Sequence, residues 1–379
     1  MPSRRVSYPG TGAGRRLLLV QATVTDPVSP LKPRLERVLD QHLNRQRELL
    51  GAQSPDLRPL VDAAADLLAN GKRLRPAFCY WGWRGSGCDD EDSIVSAAAS
   101  LELFHAAALI HDDLIDDSDT RRGMPSAHRR FARLHEQRGW QGDPSRFGMA
   151  AAVLLGDLCL GWSDELLNTA GLSEAALRRG RPIFDRMRTE LIGGQYLDVL
   201  EQVSGGLEPV GQAARARQVI RHKSARYSVE HPLLLGGHLA GATEPLLATY
   251  SAYGLALGEA FQLRDDVLGV FGDPDRTGKP AGDDLREGKR TLLVAYALEA
   301  ASTAQTAALQ TLLGNQFLDS VGVDALRAII VETGALKRVE GLVDDLVDQA
   351  AIALADAPMA ADARGALAEL IIAATARTG

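Results

Sequence analysis

Beyond Pro30, apolar residues return at i, i+3, i+4 and i+7, as at Ile94, Ala97, Ala98, Leu101, Phe104 and Ala108, the period of a helix and not of a strand. The pattern recurs in blocks over 31–49, 57–71, 93–116, 174–203 and 250–272. Gly, Pro and Asp break it, as in "GWQGDPSRFG" (139–148) and "GDPDRTGKPAGDD" (272–284). No strand hairpin and no fixed-period repeat is evident. With 379 residues, 45 % of them apolar, the chain can bury one large core. The expected architecture is a single large all-α bundle over 29–379. Residues 1–28, which contain Arg, Gly and Pro, are expected to form a disordered leader. Their "RRLLLVQATV" is too short an apolar run, with no clear cleavage site, for a signal peptide.

A formal net charge of −7 argues against a nucleic-acid partner, which calls for a basic footprint. Cys79, Cys88 and Cys159 form no CxxC pair and read as reduced thiols of a cytoplasmic protein. No apolar stretch reaches the 18 or so uncharged residues of a membrane span.

Two of the apolar blocks run into paired acids. Asp112, Asp113, Asp116, Asp117 and Asp119 crowd into "LIHDDLIDDSDTRRG" (109–123), and Asp265-Asp266 follow "LGEAFQLR" in the other half of the chain. Positions four apart share a helix face, so Asp112 and Asp116 project together. Acids near a helix C-terminus oppose its dipole, and two carboxylates about 4 Å apart repel by about 4 kcal/mol at an effective dielectric near 20. A cation must compensate. Oxygen ligands without His or Cys select a hard ion, and Mg²⁺ held between carboxylates and substrate phosphates fits best. A solvated acidic cap would explain one such cluster but not two.

Basic residues flank both clusters. Lys72, Arg73 and Arg75 lie in "NGKRLRP", Arg121-Arg122 follow the first acids, Lys223 lies in "RHKSARY", and Lys279 and Lys289 bracket "GKPAGDDLREGK". Arg suits bidentate phosphate contacts and Lys a point charge. The alternation describes a receptacle for diphosphate groups.

"GKRLRP", "DDLIDDSDTRRG", "GGQYLD", "FQLRDDVLG" and "GKPAGDDLREGKRT" resemble, in order and spacing, the motifs of the trans-isoprenyl diphosphate synthases. The resemblance implies an all-α isoprenoid-synthase bundle with a central active-site cavity, a homodimer, and three Mg²⁺ ions when substrate is bound. It implies condensation of isopentenyl diphosphate with an allylic diphosphate (dimethylallyl, geranyl or farnesyl). By the same resemblance, Lys72, Arg75 and His105 bind isopentenyl diphosphate with Arg122 beside them. Arg121, Lys223 and Lys279 grip the allylic diphosphate, and Gln195 and Asp198 line its pocket. Ser224 and Lys289 are also assigned to substrate. Asp112, Asp113 and Asp116 form the first metal motif, and Asp265 and Asp266, with Gln262 and Asp284, the second. That second motif usually ends in a third Asp, where this chain has Gly269.

Product length depends on what stands beneath the first motif. In the family, bulky aromatics at the places of Ala107 and Ala108 stop the chain early. Two alanines leave the path open toward Phe104 and Leu101, and favour a twenty-carbon, geranylgeranyl product over farnesyl or longer ones. Alanines there also permit plain close packing. A terpene cyclase would leave Lys72, Arg75 and Arg122 without a role. Gly269 is the feature that points to a non-catalytic subunit. "HD" at 111–112 also suits a metal phosphohydrolase, which would not explain the second acidic helix. Trp81, Trp83 and Trp140 read as packing residues.

Overall fold

The structure is a computed structural model that describes residues 26–69, 71–203, 211–272, 282–315 and 317–375. Helices follow one another through these residues: α1 (Lys32–Gln53), α2 (Arg58–Ala69), α3 (Leu74–Gly85), α4 (Asp92–Ile115), α5 (Ala127–Gln137), α6 (Pro144–Asn168) and α7 (Glu174–Val203). The second half runs α8 (Gln212–Val219), a π-helical stretch (Ile220–Glu230), α9 (His231–Ala240), α10 (Glu244–Phe271), α11 (Asp283–Arg286), α12 (Leu292–Ala300), α13 (Thr303–Leu312), α14 (Ser320–Glu332), α15 (Ala335–Ala355) and α16 (Ala361–Thr375).

Two helices organise the rest. α4 is apolar nearly all round and packs against α1, α3 and α6, and α10 packs against the π-helical stretch, α9 and α15. A helix without a polar face has to be interior, and these two carry the paired acids. By length and composition alone, α4 and α6 could each cross a membrane, an amendment to the sequence reading. In the fold, 72 % of the apolar window of α4 is buried and 44 % of that of α6.

Three boundaries differ from expectation. Residues 26–28, assigned above to the leader, are packed: Val28 is buried and Pro27 O accepts from Trp81 Nε1 at 3.1 Å. Residues 1–25 lie outside the described residues. The break over 139–148 is shorter than expected, because Asp143 caps α6 by accepting from Ser145 N at 2.9 Å, with Pro144 at the first turn. Helix α10 begins at Glu244 and ends at Phe271, so Asp265 and Asp266 stand more than a turn inside its end.

The one strand pair among the described residues joins Thr120 to Pro125 and Arg121 to Met124. Its loop, Arg122-Gly123, has positive φ at both positions, 54° and 76°, the geometry of a type I′ turn. The turn throws Arg121 back toward α4.

Candidate active site

The first acidic motif lies where the sequence put it. Asp116 caps α4, its N–H donating to Asp112 O. Asp112 Oδ1 accepts from Gln195 Nε2 at 3.0 Å and lies 3.1 Å from Lys223 Nζ, and its Oδ2 is 3.6 Å from Arg121. Arg121 Nε donates to buried Asp113 at 2.8 Å. Burial opposes ionisation of Asp112, but Lys223, Lys289 and Arg121 outweigh it and hold the carboxyl at about 2. Asp116 moves the other way, raised by burial and the Asp112 charge against the pull of Lys289.

Lys223 also donates to Asp198 Oδ2 at 2.7 Å. This convergence depends on Gly194, because a Cβ there would stand 2.7 Å from His222 C. The bare Cα lets α7 touch the π-helical backbone, which carries Lys223 to Asp198 and leaves the neighbouring Ser224 half-buried. π-Helical turns are uncommon and gather at functional sites. Here the His231 N–H reaches back five residues to Arg226 O.

On α10, Gln262 Nε2 donates to Asp266 Oδ1 at 2.8 Å. Burial, reinforced by the charges of Asp284 and Asp265, lifts the Asp266 carboxyl to about 7 despite that hydrogen bond. Lys289 joins the two clusters, with Nζ 3.4 Å from Asp116 Oδ2, 3.7 Å from Asp284 Oδ1 and 2.6 Å from Glu287. Lys279 lies outside the described residues.

The basic set beside α4 sorts into two kinds. Arg75 Nη2 donates to Ser228 Oγ at 2.9 Å, and its guanidinium stacks 4.2 Å from the Tyr227 ring centre. Arg122 reaches Leu67 O at 2.9 Å, and Lys72 is exposed. Arg73 is buried instead against Glu102 and Leu68 O, so it is a strut and not a ligand. Arg73, Asp117 and Arg122 are the non-glycine residues with positive φ among the described residues, and such strain persists where surroundings enforce it.

Tyr227 and Glu102 escaped the sequence reading. The Tyr227 hydroxyl lies 2.6 Å from His105 Nδ1, and its ring meets Phe104 edge-on at 5.5 Å. Burial raises the Tyr227 phenol, so it stays a donor. Burial and then Arg75, Arg122, Arg121 and Arg73 hold His105 neutral. With Nδ1 paired to the phenol, Nε2 is the ring nitrogen left for a ligand. Tyr227→Phe is therefore expected to raise the KM for the substrate that His105 and Arg75 bind by about three- to tenfold, with kcat little changed. Steady-state kinetics checks this, and an unchanged KM would refute it.

Beneath Asp112, Ala108 is half-buried whereas Ala107 is fully buried, five residues back and about 140° round the helix. Phe104 packs on Tyr227 and Phe184, and Leu101 is fully buried one turn lower. His111 packs onto α6, its Nε2 3.4 Å from Val153 O and 3.8 Å from Asp157.

The donor set fits a hard cation. It is all oxygen, and Asp116 Oδ1 is buried without a hydrogen-bond partner. Among the described residues no three His, Cys, Asp or Glu side chains converge to hold an ion alone, so a bound diphosphate would have to complete the shell.

Burial also couples these groups to stability. His42, His105, His128, His231 and His238 are all held below the ordinary imidazole value, burial being the largest cause, and His231 reaches about 4. Below about pH 6.5 the unfolded chain binds protons that the folded chain refuses, so stability falls with pH there. Asp116, Glu230 and Asp266, raised chiefly by burial, oppose this because the folded chain keeps their protons longer. Asp266, lifted to about 7, offsets His231, lowered to about 4, and the four other histidines set the direction over that range. In chelator, Tm is expected to fall from about pH 7 to about pH 5, and a Tm that rises over that range would contradict the balance.

Two interior helices present their acids to arginine and lysine side chains, in an all-α bundle of the isoprenoid-synthase fold. The comparisons narrow the class. Residues 58–330 match the polyprenyl synthetase family model. A geranylgeranyl pyrophosphate synthase structure from Corynebacterium glutamicum, titled as complexed with isoprenyl diphosphate and magnesium, superposes with a TM-score of 0.88 at 37 % identity, covering 94 % of this chain and 100 % of that one. Geranylfarnesyl diphosphate synthase of Aeropyrum pernix is 32 % identical over 76 % of this chain and 85 % of its own length. Heptaprenyl diphosphate synthase component 2 of Geobacillus stearothermophilus is 32 % identical over 86 % and 92 %. The chain belongs to the polyprenyl synthetase family and is a prenyltransferase, a trans-prenyl diphosphate synthase.

Proposed function

We propose that this enzyme condenses isopentenyl diphosphate head-to-tail with allylic diphosphates, in a Mg²⁺-dependent reaction, and releases geranylgeranyl diphosphate. The observation that carries the reading is the facing pair of sites around α4: Asp112, Asp116, Arg121 and Lys223 on one side, Arg75, His105 and Tyr227 on the other.

Arg121 and Lys223, with Lys279 by family resemblance, bind the allylic diphosphate and stabilise the charge that grows as the allylic C–O bond breaks. Asp112, Asp113 and Asp116, with Asp265, Asp266 and Asp284, would hold the Mg²⁺, which supplies Lewis-acid stabilisation of that same leaving group. Lys72, Arg75, Arg122 and His105 hold isopentenyl diphosphate so that its double bond faces the allylic carbon at near-attack distance. The double bond's electron pair forms the new C–C bond. The departing diphosphate then takes a proton from the adjacent carbon, leaving a product five carbons longer. The apolar walls Leu101, Phe104 and Ala108 keep water from the cation.

For chain length, half-buried Ala108 offers the path and Phe104, braced by Phe184 and Tyr227, the floor. The relatives' names span several product lengths, and the C. glutamicum structure supports the geranylgeranyl reading. Ala108→Phe is expected to shift the main product from twenty carbons to fifteen, and Phe104→Ala to lengthen it. Purified protein incubated with Mg²⁺, isopentenyl diphosphate and each allylic starter, with products weighed after dephosphorylation, tests both. A farnesyl product from the unaltered enzyme would overturn the length assignment. No condensation with any starter would favour a second reading, a subunit that needs a partner, supported by Gly269 and by the likeness to a heptaprenyl synthase component. We further read it as a cytoplasmic homodimer, supported by exposed Met149, Val153 and Leu154 on α6. Light scattering of the purified protein tests the oligomer, and a monomer mass would overturn it.

A further inference from the structure

The π-helical stretch serves both sides of α4. Lys223 Nζ lies 3.1 Å from Asp112 Oδ1, and five residues on, Ser228 Oγ accepts from Arg75 Nη2 at 2.9 Å. In an α-helix residues five apart point about 140° from one another, whereas turns closed from i to i+5 bring them round to one side. Such turns are rare, so neighbours have to hold the register. Helix α10 does much of this. A Cβ at Gly258 would stand 2.5 Å from Ala225 O, and one at Gly254 would stand 2.6 Å from Glu230 Cα. The bare glycines thus let α10 lie directly on the π-helical backbone.

Beside Gly258 stands a buried acid that neither metal motif uses, Glu259. Its Oε2 accepts from Arg217 Nε at 2.8 Å and its Oε1 from Arg221 Nε at 2.5 Å. Arg217 lies in the last turn of α8, and Arg221 is the second residue of the π-helical stretch, two before Lys223. Along α10, Glu259 is about one turn before Gln262 and two before Asp266. The far end of the stretch is tied separately. Arg226 Nη1 donates to Glu190 Oε2 on α7 at 2.7 Å, and Ser251 Oγ donates to Glu230 Oε1 at 2.5 Å.

We infer that Glu259 is a positioning residue for Lys223: by holding Arg217 and Arg221 it sets the start of the π-helical register, and through it the ammonium beside Asp112. This role rests on the reading of Lys223 as a grip on the allylic diphosphate. Plain stabilisation is the weaker account of the triad. The side chains of Arg217 and Arg221 are 39 % and 51 % exposed, so both regain water when the carboxylate is neutralised. What the two hydrogen bonds fix is where the stretch enters against α10.

The test is steady-state kinetics of the full chain with geranyl diphosphate and isopentenyl diphosphate. Glu259→Gln keeps the shape and removes the charge that the two arginines share. It is expected to raise the KM for geranyl diphosphate by about tenfold and to lower kcat, since a displacement of about 1 Å is enough for such a loss. The KM for isopentenyl diphosphate, held at the separately tied end, should change by less than about twofold. Arg221→Ala, at a half-exposed position, should move the same KM in the same direction by a smaller factor, and it decides the matter if Glu259→Gln does not fold. In a Lys223→Ala background, Glu259→Gln should add nothing further, because it acts through the ammonium. Unchanged kinetics, equal rises in both KM values, or losses that multiply in the double variant would overturn the inference while Lys223→Ala alone still raises the KM for geranyl diphosphate. Unaltered kinetics in Lys223→Ala would overturn the reading of the site and the role of Glu259 with it.

Discussion

Asp112→Asn is expected to lower kcat by about 10²–10³-fold without loss of fold. The substitution keeps the shape of the side chain, and its amide can still meet Gln195, so the packing of α4 is undisturbed. It removes the one carboxylate that Lys223, Lys289 and Arg121 hold ionised against burial at about 2. That charge is therefore fixed across all working pH, and the loss should not be rescued by raising pH. A site that works by preorganised charge loses roughly that factor when one member is neutralised. Steady-state rates at saturating substrate and a range of Mg²⁺ concentrations check it. A variant within about tenfold of the unaltered enzyme would remove Asp112 from the metal-binding set.

Glu102→Ala is expected to cost about 3–5 kcal/mol of stability, the range for stranding one partner of a buried ion pair. Arg73 and Glu102 pair with side chains 1 % and 4 % exposed, and Arg73 also bonds Leu68 O at the end of α2. The pair ties the left-handed turn at Arg73 to the middle of α4, and Arg75 follows directly from that turn. Removing the carboxylate leaves a guanidinium without water or counter-charge. Urea denaturation measures the loss. Replacing both residues with apolar side chains should restore much of it, because the double variant strands no charge. Equal losses in single and double variants would show that shape and not charge holds the turn.

The helical periodicity was legible because α4 and α10 are interior on nearly every side, and interior helices write their burial directly into the sequence. The first acidic motif was legible for a related reason: carboxylates on one face of an apolar helix have no structural excuse. Gly194 carried a readable trace in "GGQYLD", since paired glycines in a helix signal close backbone approach. Tyr227 left none. Its place depends on the π-helical stretch, whose changed turn count no α-periodic reading anticipates. Arg73 misled for the opposite reason, as a basic residue amid phosphate-binding neighbours whose charge is already consumed by Glu102.

The chain by itself determined which elements form and which residue types each acidic and basic cluster contributes, because periodicity and charge are local properties. The tertiary structure decided which of those residues meet. Lys289 bridges two motifs that lie far apart in the chain, Arg121 is turned onto Asp113 by a two-residue loop, and Asp284 occupies the space at Gly269. Each outcome depends on where one backbone allows another to approach, and steric fit between distant segments is written in no single stretch of sequence.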